Sequence, residues 1–339
     1  MIETKTFEQL ERMVMEDDQG KWDREVPVRS IHMEYDGSLK VQGQEYKLSP
    51  CASSQLFSKL SIPVAYARRC PTELLATHVN HWLDEQEDNT WLVRGKEDRV
   101  RAFLSTSYSV LDNHQLLKTL RRAMGGEDFR ISSGSVGDEY GFHARLVIPG
   151  TSLDLGRLKT GERDQIFGGI HISNSEIGRS SASSEMLIWR LICTNGMLGI
   201  TPGTGHRQAH RGNGVMESFR EKLEFSFQTA PTETRLRMEG LEKSMGELTT
   251  RGEEIVQYYA RENGLSKPVI DEISKQLHAQ RRSVGEEFSK YDLVNAFTAG
   301  ARIVKGDHRY EVEVLAGRLL EENLEKLEND SVELRTKRG

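Results

Sequence analysis

The stretch from Phe167 to Gly199 constrains this chain more than any other segment. It reads FGGIHISNSEIGRSSASSEMLIWRLICTNGMLG. A strand-like run leads into a turn rich in serine, glycine and asparagine, which carries Arg179, and an apolar run follows. Small residues in such a turn leave backbone N–H groups exposed, and a nearby arginine suits an anion. The segment therefore predicts a strand followed by a loop that suits a phosphate-bearing partner.

Length and composition place the chain among globular proteins. With 339 residues it is long enough for two domains, or for one large domain with an appendage. We find no apolar run near 18 residues and no basic, apolar leader, so we expect no membrane segment and no signal peptide. Cys51, Cys70 and Cys193 are odd in number and far apart. This usage fits a reducing cytoplasm better than a disulfide framework or a zinc ribbon.

The charges are unevenly distributed along the chain. The formal net charge is -6, but residues 94–215 hold 16 basic and 12 acidic side chains between two acidic flanks. A basic surface on an acidic protein often serves a polyanion. Ordinary scatter is the alternative explanation, because the central excess is modest.

In the first half of the chain, the spacing of apolar residues predicts helices in some segments and strands in others. Residues 1–60 predict a helix and then a hairpin around Asp36-Gly37, a strong two-residue turn signal. A second helix is predicted from Thr72, as its cap, to Asp84, and the segments WLVRG and VRAFLST read as strands. The pattern indicates a mixed sheet with helices packed on it.

The rest of the chain predicts a second group of strands and then helices. Asp112 is predicted to cap a helix that Gly125-Gly126 ends, and the segments YGFHARLVI and FGGIHISN read as strands. Residues 201–214 are predicted to form a loop, and apolar residues recur at helical spacing from Met216 onward. We therefore expect an α+β fold with a mixed or antiparallel sheet, in three parts: an N-terminal helix and hairpin (1–60), an α+β core (61–215) and a mostly helical C-terminal region (216–339).

Basic and polar residues of the central segment are the candidates for binding nucleic acid. Several arginines on one sheet and its loops would follow a phosphodiester backbone and make binding sensitive to salt. Among the candidates, Arg179, Arg207 and Arg211 are expected to contact phosphates, and Lys159 and Arg163 to steer the strand. The full set is Arg94, Lys96, Arg99, Arg101, Arg157, Lys159, Arg163, Asn174, Ser175, Arg179, Arg190, Arg207 and Arg211.

Signatures of enzymes are weak in this chain. Neither the phosphate-binding P-loop pattern nor a dinucleotide-binding glycine pattern is present, although a small-molecule nucleotide enzyme could use a pocket around Asn174, Ser175 and Cys193. Cys193 with His206 or His210 would be a possible thiol and base, but its apolar neighbours predict a buried, inert thiol. We therefore predict no catalytic residue.

Metal binding is also weakly supported. His78 with His81, and His206 with His210, could each supply two ligands, but neither pair has a suitably placed carboxylate or cysteine. We predict no metal and no cofactor. Glu176 is expected to form a local ion pair with Arg179 that holds the loop.

Three ordered segments carry a family resemblance. These are LDNHQLLKTL, ISNSEIGRSS and RLICTNGM, and over about residues 95–215 their order and spacing resemble the domain of unknown function 932 family. The resemblance implies an accessory protein of a phage, a plasmid or another mobile element. The expected basic sheet with a supporting helix is also similar in layout to single-strand annealing recombination proteins, a likeness at the level of fold alone.

The functional hypothesis combines the basic centre with this resemblance. We expect a cytoplasmic, homo-oligomeric protein that binds single-stranded DNA, and anneals it, in the recombination or replication of a phage or plasmid. The alternative is a protein-interaction factor or host-defence antagonist that binds no nucleic acid and works through its acidic flanks.

Overall fold

The structure, a computed structural model, describes residues 6–125, 130–137, 141–157, 163–190, 196–198, 205–279, 281, 286–304 and 307–336. It contains two main sheets, each with helices packed against it, and a C-terminal region built mostly of helices. The predicted α+β class with a helical C-terminal region is confirmed.

The N-terminal sheet has six strands in the order β1-β5-β6-β4-β3-β2. They are β1 (Lys21–Pro27), β2 (Ile31–Met33), β3 (Leu39–Val41), β4 (Gln44–Leu48), β5 (Thr90–Lys96) and β6 (Arg99–Ser105). Only the pairing of β4 with β6 is parallel. Strands β1 to β4 come before residue 60, the predicted boundary between the first two parts of the chain, and β5 and β6 come after it. Strands from both parts therefore form one sheet.

The predicted hairpin around Asp36-Gly37 is present as β2 and β3, with Gly37 at φ +89°. A second turn that we did not predict joins β3 to β4. Gln42 and Gly43 both have positive φ there, which is the geometry of a two-residue hairpin turn. Gln42 is an uncommon residue for this geometry, so the pattern of turn residues did not reveal the third strand.

Helices α2 (Pro50–Lys59), α3 (Val64–Ala67) and α4 (Thr72–Asp84) pack on this sheet, whereas α1 (Phe7–Asp18) packs into the core of the central sheet. Leu56 of α2 and Val79 of α4 pack into a core with Val93 and Phe103 of the sheet. The predicted helix over 72–84 is confirmed, but Thr72 is its first residue rather than its cap. Pro71 holds the cap position and provides no side-chain hydrogen bond.

The central sheet is antiparallel, with the order β11-β10-β9-β8-β7, and one further strand pairs with β10. Its strands are β7 (Arg130–Ser135), β8 (Phe142–Arg157), β9 (Arg163–Asn174), β10 (Ala182–Arg190), β11 (Gly196–Leu198) and β12 (His206–Gln208). The predicted strands around FHARLVI and FGGIHISN are thus confirmed. The prediction that 201–214 is entirely loop is wrong at β12, where Ala182 to Ser184 supply the pairing edge.

Helices α5 (Asn113–Ala123) and α6 (Val215–Ser244) pack on the central sheet. Asp112 occupies the cap position of α5, but its side chain makes no capping hydrogen bond and binds Arg94 instead, with 2.5 Å between Oδ1 and Nη2. Gly125 ends α5 with φ +62°, as predicted, whereas Gly126 lies outside the described residues. Gly168 of β9 allows α6 to approach closely, because a Cβ there would lie 2.0 Å from Cγ2 of Thr234.

The C-terminal region surrounds a helix that is buried on all sides, α9 (Lys290–Gly300). The other elements are β13 (Leu248–Thr249), α7 (Gly252–Glu262), α8 (Lys267–Ala279), β14 (Phe288–Ser289), α10 (Asp307–Glu321) and α11 (Leu324–Thr336). The helices predicted from the apolar spacing after Met216 are confirmed, but the short strand β13 separates α6 from α7. Among the described residues, no helix combines the length and the apolar character that crossing a membrane requires.

Candidate functional site

The loop that joins β9 to β10 is held in place by the buried carboxylate of Glu176. Its Oε2 lies 2.7 Å from Nζ of Lys21 and 2.6 Å from Nη2 of Arg101, and its Oε1 accepts from the backbone N–H of Asn113 at 2.8 Å. Burial alone would raise the pKa of Glu176, but Lys21, Arg101 and the Asn113 hydrogen bond outweigh it and lower that pKa to about 2. Glu176 is therefore ionised at neutral pH.

Arg94 of β5 connects the same loop to two further segments. Its guanidinium donates to both carboxylate oxygens of Asp23, to Oδ1 of Asp112, and to the backbone carbonyl of Glu176 at 2.6 Å. The side chain is only 2% exposed. An arginine with its donors used in this way serves the structure and is not available to a ligand.

Two neutral side chains complete the attachment of the loop. The hydroxyl of Tyr108 donates to the carbonyl of Ser175 at 3.1 Å, and Nε2 of Gln55 donates to the carbonyl of Ile177 at 2.8 Å. Hydrogen bonds within the protein thus attach the loop to the N-terminal sheet and to the segments next to it. Glu176, which we expected to pair with Arg179, has its ion pairs with Lys21 and Arg101 of the N-terminal sheet.

Several predicted nucleic-acid contacts are buried structural residues. Arg94 and Arg101 are buried against carboxylates, and Asn174 and Ser175 are buried as well. Lys96 donates to the carbonyl and carboxylate of Asp17. Arg94, Arg101, Asn174 and Ser175 are therefore not exposed to a strand of nucleic acid, and Lys96, whose side chain is 32% exposed, is paired with Asp17. The sequence could not reveal this, since the acidic partners are distant in the chain.

A cleft of about 470 Å³ opens on the solvent side of the loop. The end of α2, the end of β6, the loop itself and residues 209–211 form its walls. Three cationic residues line it, Lys59, Arg179 and Arg211, together with Ser180 and Ser181. No aspartate or glutamate is found among the described residues that line this cleft. The cleft therefore concentrates positive charge in a concave surface, where a bound anion is stabilised most.

The cationic groups of the cleft are well placed for an anion. The Arg211 side chain has no hydrogen bond or ion pair within the described part of the chain. The backbone of Arg211 forms an isolated antiparallel β-bridge with that of Tyr108. The Nζ of Lys59 lies 5.0 Å from the ring centroid of Trp91, and burial lowers its pKa. A partly desolvated ammonium gains from a nearby anion because the pair offsets the loss of hydration.

An aromatic pair forms one side of the cleft. The rings of Tyr108 and His210 are stacked, with centroids 4.9 Å apart and an interplanar angle of 11°. Burial lowers the pKa of His210, so its ring is neutral at pH 7. The stacked pair thus gives the cleft an aromatic wall.

Arg207 and Arg211 line two different cavities. Arg207 lies on β12 and lines a different cavity, beside Arg318 of α10, with its Nη2 3.7 Å from Oε1 of Glu185. Only Arg179 and Arg211 of the three expected phosphate contacts share the cleft. Arg99 is exposed at the start of β6 and does not line it.

The remaining predicted residues fall where side chains are not described. Arg157, Arg163 and Arg190 are terminal residues of β8, β9 and β10, and their side chains lie outside the described part. Lys159 and Cys193 lie outside the described residues altogether. Among the residues that are described, no group of three His, Cys, Asp or Glu side chains is arranged to hold a metal ion.

Lys59 is the cleft residue that sequence reasoning missed. It lies in the acidic segment before residue 94, so the search for a basic centre passed over it. No sequence signal distinguishes it from other lysines at the ends of helices.

Comparison of the chain with protein-family models, curated proteins and solved structures finds no significant match. The family resemblance stays a prediction.

Proposed function

We propose that the cleft of Lys59, Arg179 and Arg211 binds the phosphates of a single-stranded nucleic acid, with single-stranded DNA as the expected partner. The observation that carries the proposal is three cationic residues in one concave surface whose described lining contains no carboxylate. Arginine pairs with phosphate through two parallel hydrogen bonds, and lysine acts as a point charge. The serine residues of the loop offer further donors to phosphate oxygens.

The size of the cleft favours a single strand. A flexible single strand can place one phosphate after another into a concave surface, whereas the rigid rod of a duplex contacts only its rim. Because only three cations line the cleft, we expect a small electrostatic contribution to the binding affinity. For single strands the logarithm of affinity falls with the logarithm of salt concentration by about 0.7 per neutralised phosphate, so we expect a slope of about -2.

The wider role is part of the same proposal. The family resemblance suggests binding in the recombination or replication of a phage or plasmid, with annealing as a further step if two strands are held together. The odd, dispersed cysteines suit a reducing cytoplasm. Homo-oligomerisation remains a prediction that sizing of the free protein tests directly.

The test is fluorescence anisotropy with a labelled oligothymidylate of 20 nucleotides, titrated at several salt concentrations between 50 and 200 mM. Arg211→Ala should weaken binding at 50 mM and reduce the salt slope by about 0.7, because one phosphate contact is lost. Arg99→Ala is the matched control, since it removes an exposed arginine outside the cleft. An equal effect of the two substitutions, or tighter binding of a duplex of equal length, would contradict the proposal.

A further inference from the structure

A second cavity, of about 570 Å³, lies between β12, α10 and the connection from α7 to α8. Aliphatic side chains form much of its wall, and they come from three separate segments: Leu265, Val269, Val304, Val312, Val314 and Leu315. The three from α10 are almost completely buried in the protein core. Cavities of this volume with apolar walls and a few polar groups are typical of sites for small molecules.

Two arginines border this apolar wall from opposite elements. The side chain of Arg318 on α10 makes no hydrogen bond and no ion pair within the part of the chain that the structure describes. Arg207 of β12 approaches Glu185 at 3.7 Å, which is too long for a hydrogen bond. Both guanidinium groups therefore keep donors for a ligand.

The acidic groups near the cavity neutralise these arginines only in part. Glu311 is at the rim, where its carboxylate lies 2.9 Å from Nδ1 of His308. Glu185 is 2% exposed and interacts with both Arg207 and Arg318, and its Oε2 has no hydrogen-bond partner in the described part. Burial raises the pKa of Glu185 to about 7, so its carboxyl group is only partly ionised at neutral pH. His171, 3.9 Å away, adds no charge, because burial lowers its pKa.

We propose that this cavity binds a small amphiphilic carboxylate, with the carboxylate between Arg207 and Arg318 and the aliphatic chain against the valine and leucine wall. Guanidinium groups recognise a carboxylate through paired N–H donors, which gives both charge and shape complementarity. The aliphatic wall removes the chain of the ligand from water, and this part of the affinity grows with each methylene. The site is independent of the cleft of Lys59, Arg179 and Arg211.

The test is isothermal titration calorimetry of the full chain with octanoate as the probe. We expect saturable binding at submillimolar to millimolar concentration. Acetate, which has the head without the chain, and 1-octanol, which has the chain without the charge, should each bind at least tenfold more weakly. Acetate or 1-octanol binding as tightly as octanoate would overturn the proposal.

Variants separate this site from the cleft. Arg318→Gln keeps a similar size and removes the charge, and it should weaken octanoate at least fivefold. Arg211→Gln removes the same charge from the other cavity and should leave octanoate binding unchanged. Circular dichroism should show that both variants are folded. Equal weakening by both variants, or no binding of octanoate to the wild type, would contradict the proposal, whatever the outcome with nucleic acid.

Discussion

Glu176 and Arg101 are 75 residues apart in the chain, yet Oε2 of the glutamate lies 2.6 Å from Nη2 of the arginine, and both side chains are buried. Their pair joins the loop between β9 and β10 to the N-terminal sheet. Lys21 of β1 adds a second cation to the same oxygen. The charge of Glu176 thus holds together the two sheets on either side of the cleft.

Glu176→Gln should destabilise the protein strongly at neutral pH. Glutamine keeps the size of the side chain but removes the charge that Lys21 and Arg101 share, and breaking a buried pair costs about 3–5 kcal/mol. The folded-state pKa of Glu176 is lowered to about 2 from its ordinary value of 4.5. Its contribution is therefore present above about pH 4.5 and is lost as the pH falls toward 2.

Urea denaturation at pH 7 and pH 3 measures this effect. The difference between wild type and Glu176→Gln should be smaller at pH 3. Glu217→Gln is the control, because Glu217 is an exposed carboxylate paired with Arg220 on α6 and should change stability little at either pH. A difference that does not depend on pH would show that the charge of Glu176 is not what stabilises the loop.

Glu185 should contribute to the pH dependence of stability in the opposite direction. Burial raises its pKa to about 7, and Arg207 and Arg318 only partly oppose this. A carboxyl group whose pKa is higher in the folded state binds more protons there, so stability falls as the pH rises from about 4.5 to about 7. A shift from 4.5 to about 7 corresponds to a change on the order of 3 kcal/mol.

The buried His171 opposes this trend, because burial and the neighbouring His143 and Arg145 lower its pKa. The informative quantity is therefore the difference between wild type and Glu185→Gln, measured by urea denaturation from pH 5 to pH 8. We expect the wild type to lose stability relative to the variant across this range. A constant difference would mean that Glu185 stays in one protonation state.

Gly168→Ala should destabilise the contact between β9 and α6. The added Cβ would lie 2.0 Å from Cγ2 of Thr234 and 2.9 Å from Oγ1 of Thr151, so sheet and helix would have to separate. Overpacking of this kind costs about 1–3 kcal/mol. Gly240 lies on α6, as Thr234 does, and a Cβ added there would meet no atom within 4 Å. Gly240→Ala should therefore stabilise the protein by up to about 1 kcal/mol.

Thermal unfolding of the two alanine variants decides this prediction. The melting temperature should fall for Gly168→Ala and rise or stay constant for Gly240→Ala. Thr234→Ala in the Gly168→Ala background should restore part of the loss, because it removes the atom that the new Cβ approaches most closely. Independent effects of the two substitutions would argue against the close approach.

Elements with a strong local pattern were predictable. The helix over 72–84 and the strands β8 and β9 follow from apolar periodicity, and the turn at Asp36-Gly37 from its residues. β12 was missed because three residues in a glycine-rich segment have no periodicity of their own. They form a strand only because the edge of β10 is available for pairing.

The candidate site was only partly predictable for a similar reason. The sequence by itself determined the α+β class, the position of the Ser/Gly/Arg loop and the choice of Arg179 and Arg211 as candidates, since these depend on local composition and periodicity. Only the tertiary structure decided that Arg94 and Arg101 are buried pairs, that Lys59 joins the cleft, and that Arg207 belongs to another cavity. A charged side chain reads the same in the sequence whether it faces water or a carboxylate, and the partners that decide between these outcomes are brought together by folding from distant parts of the chain.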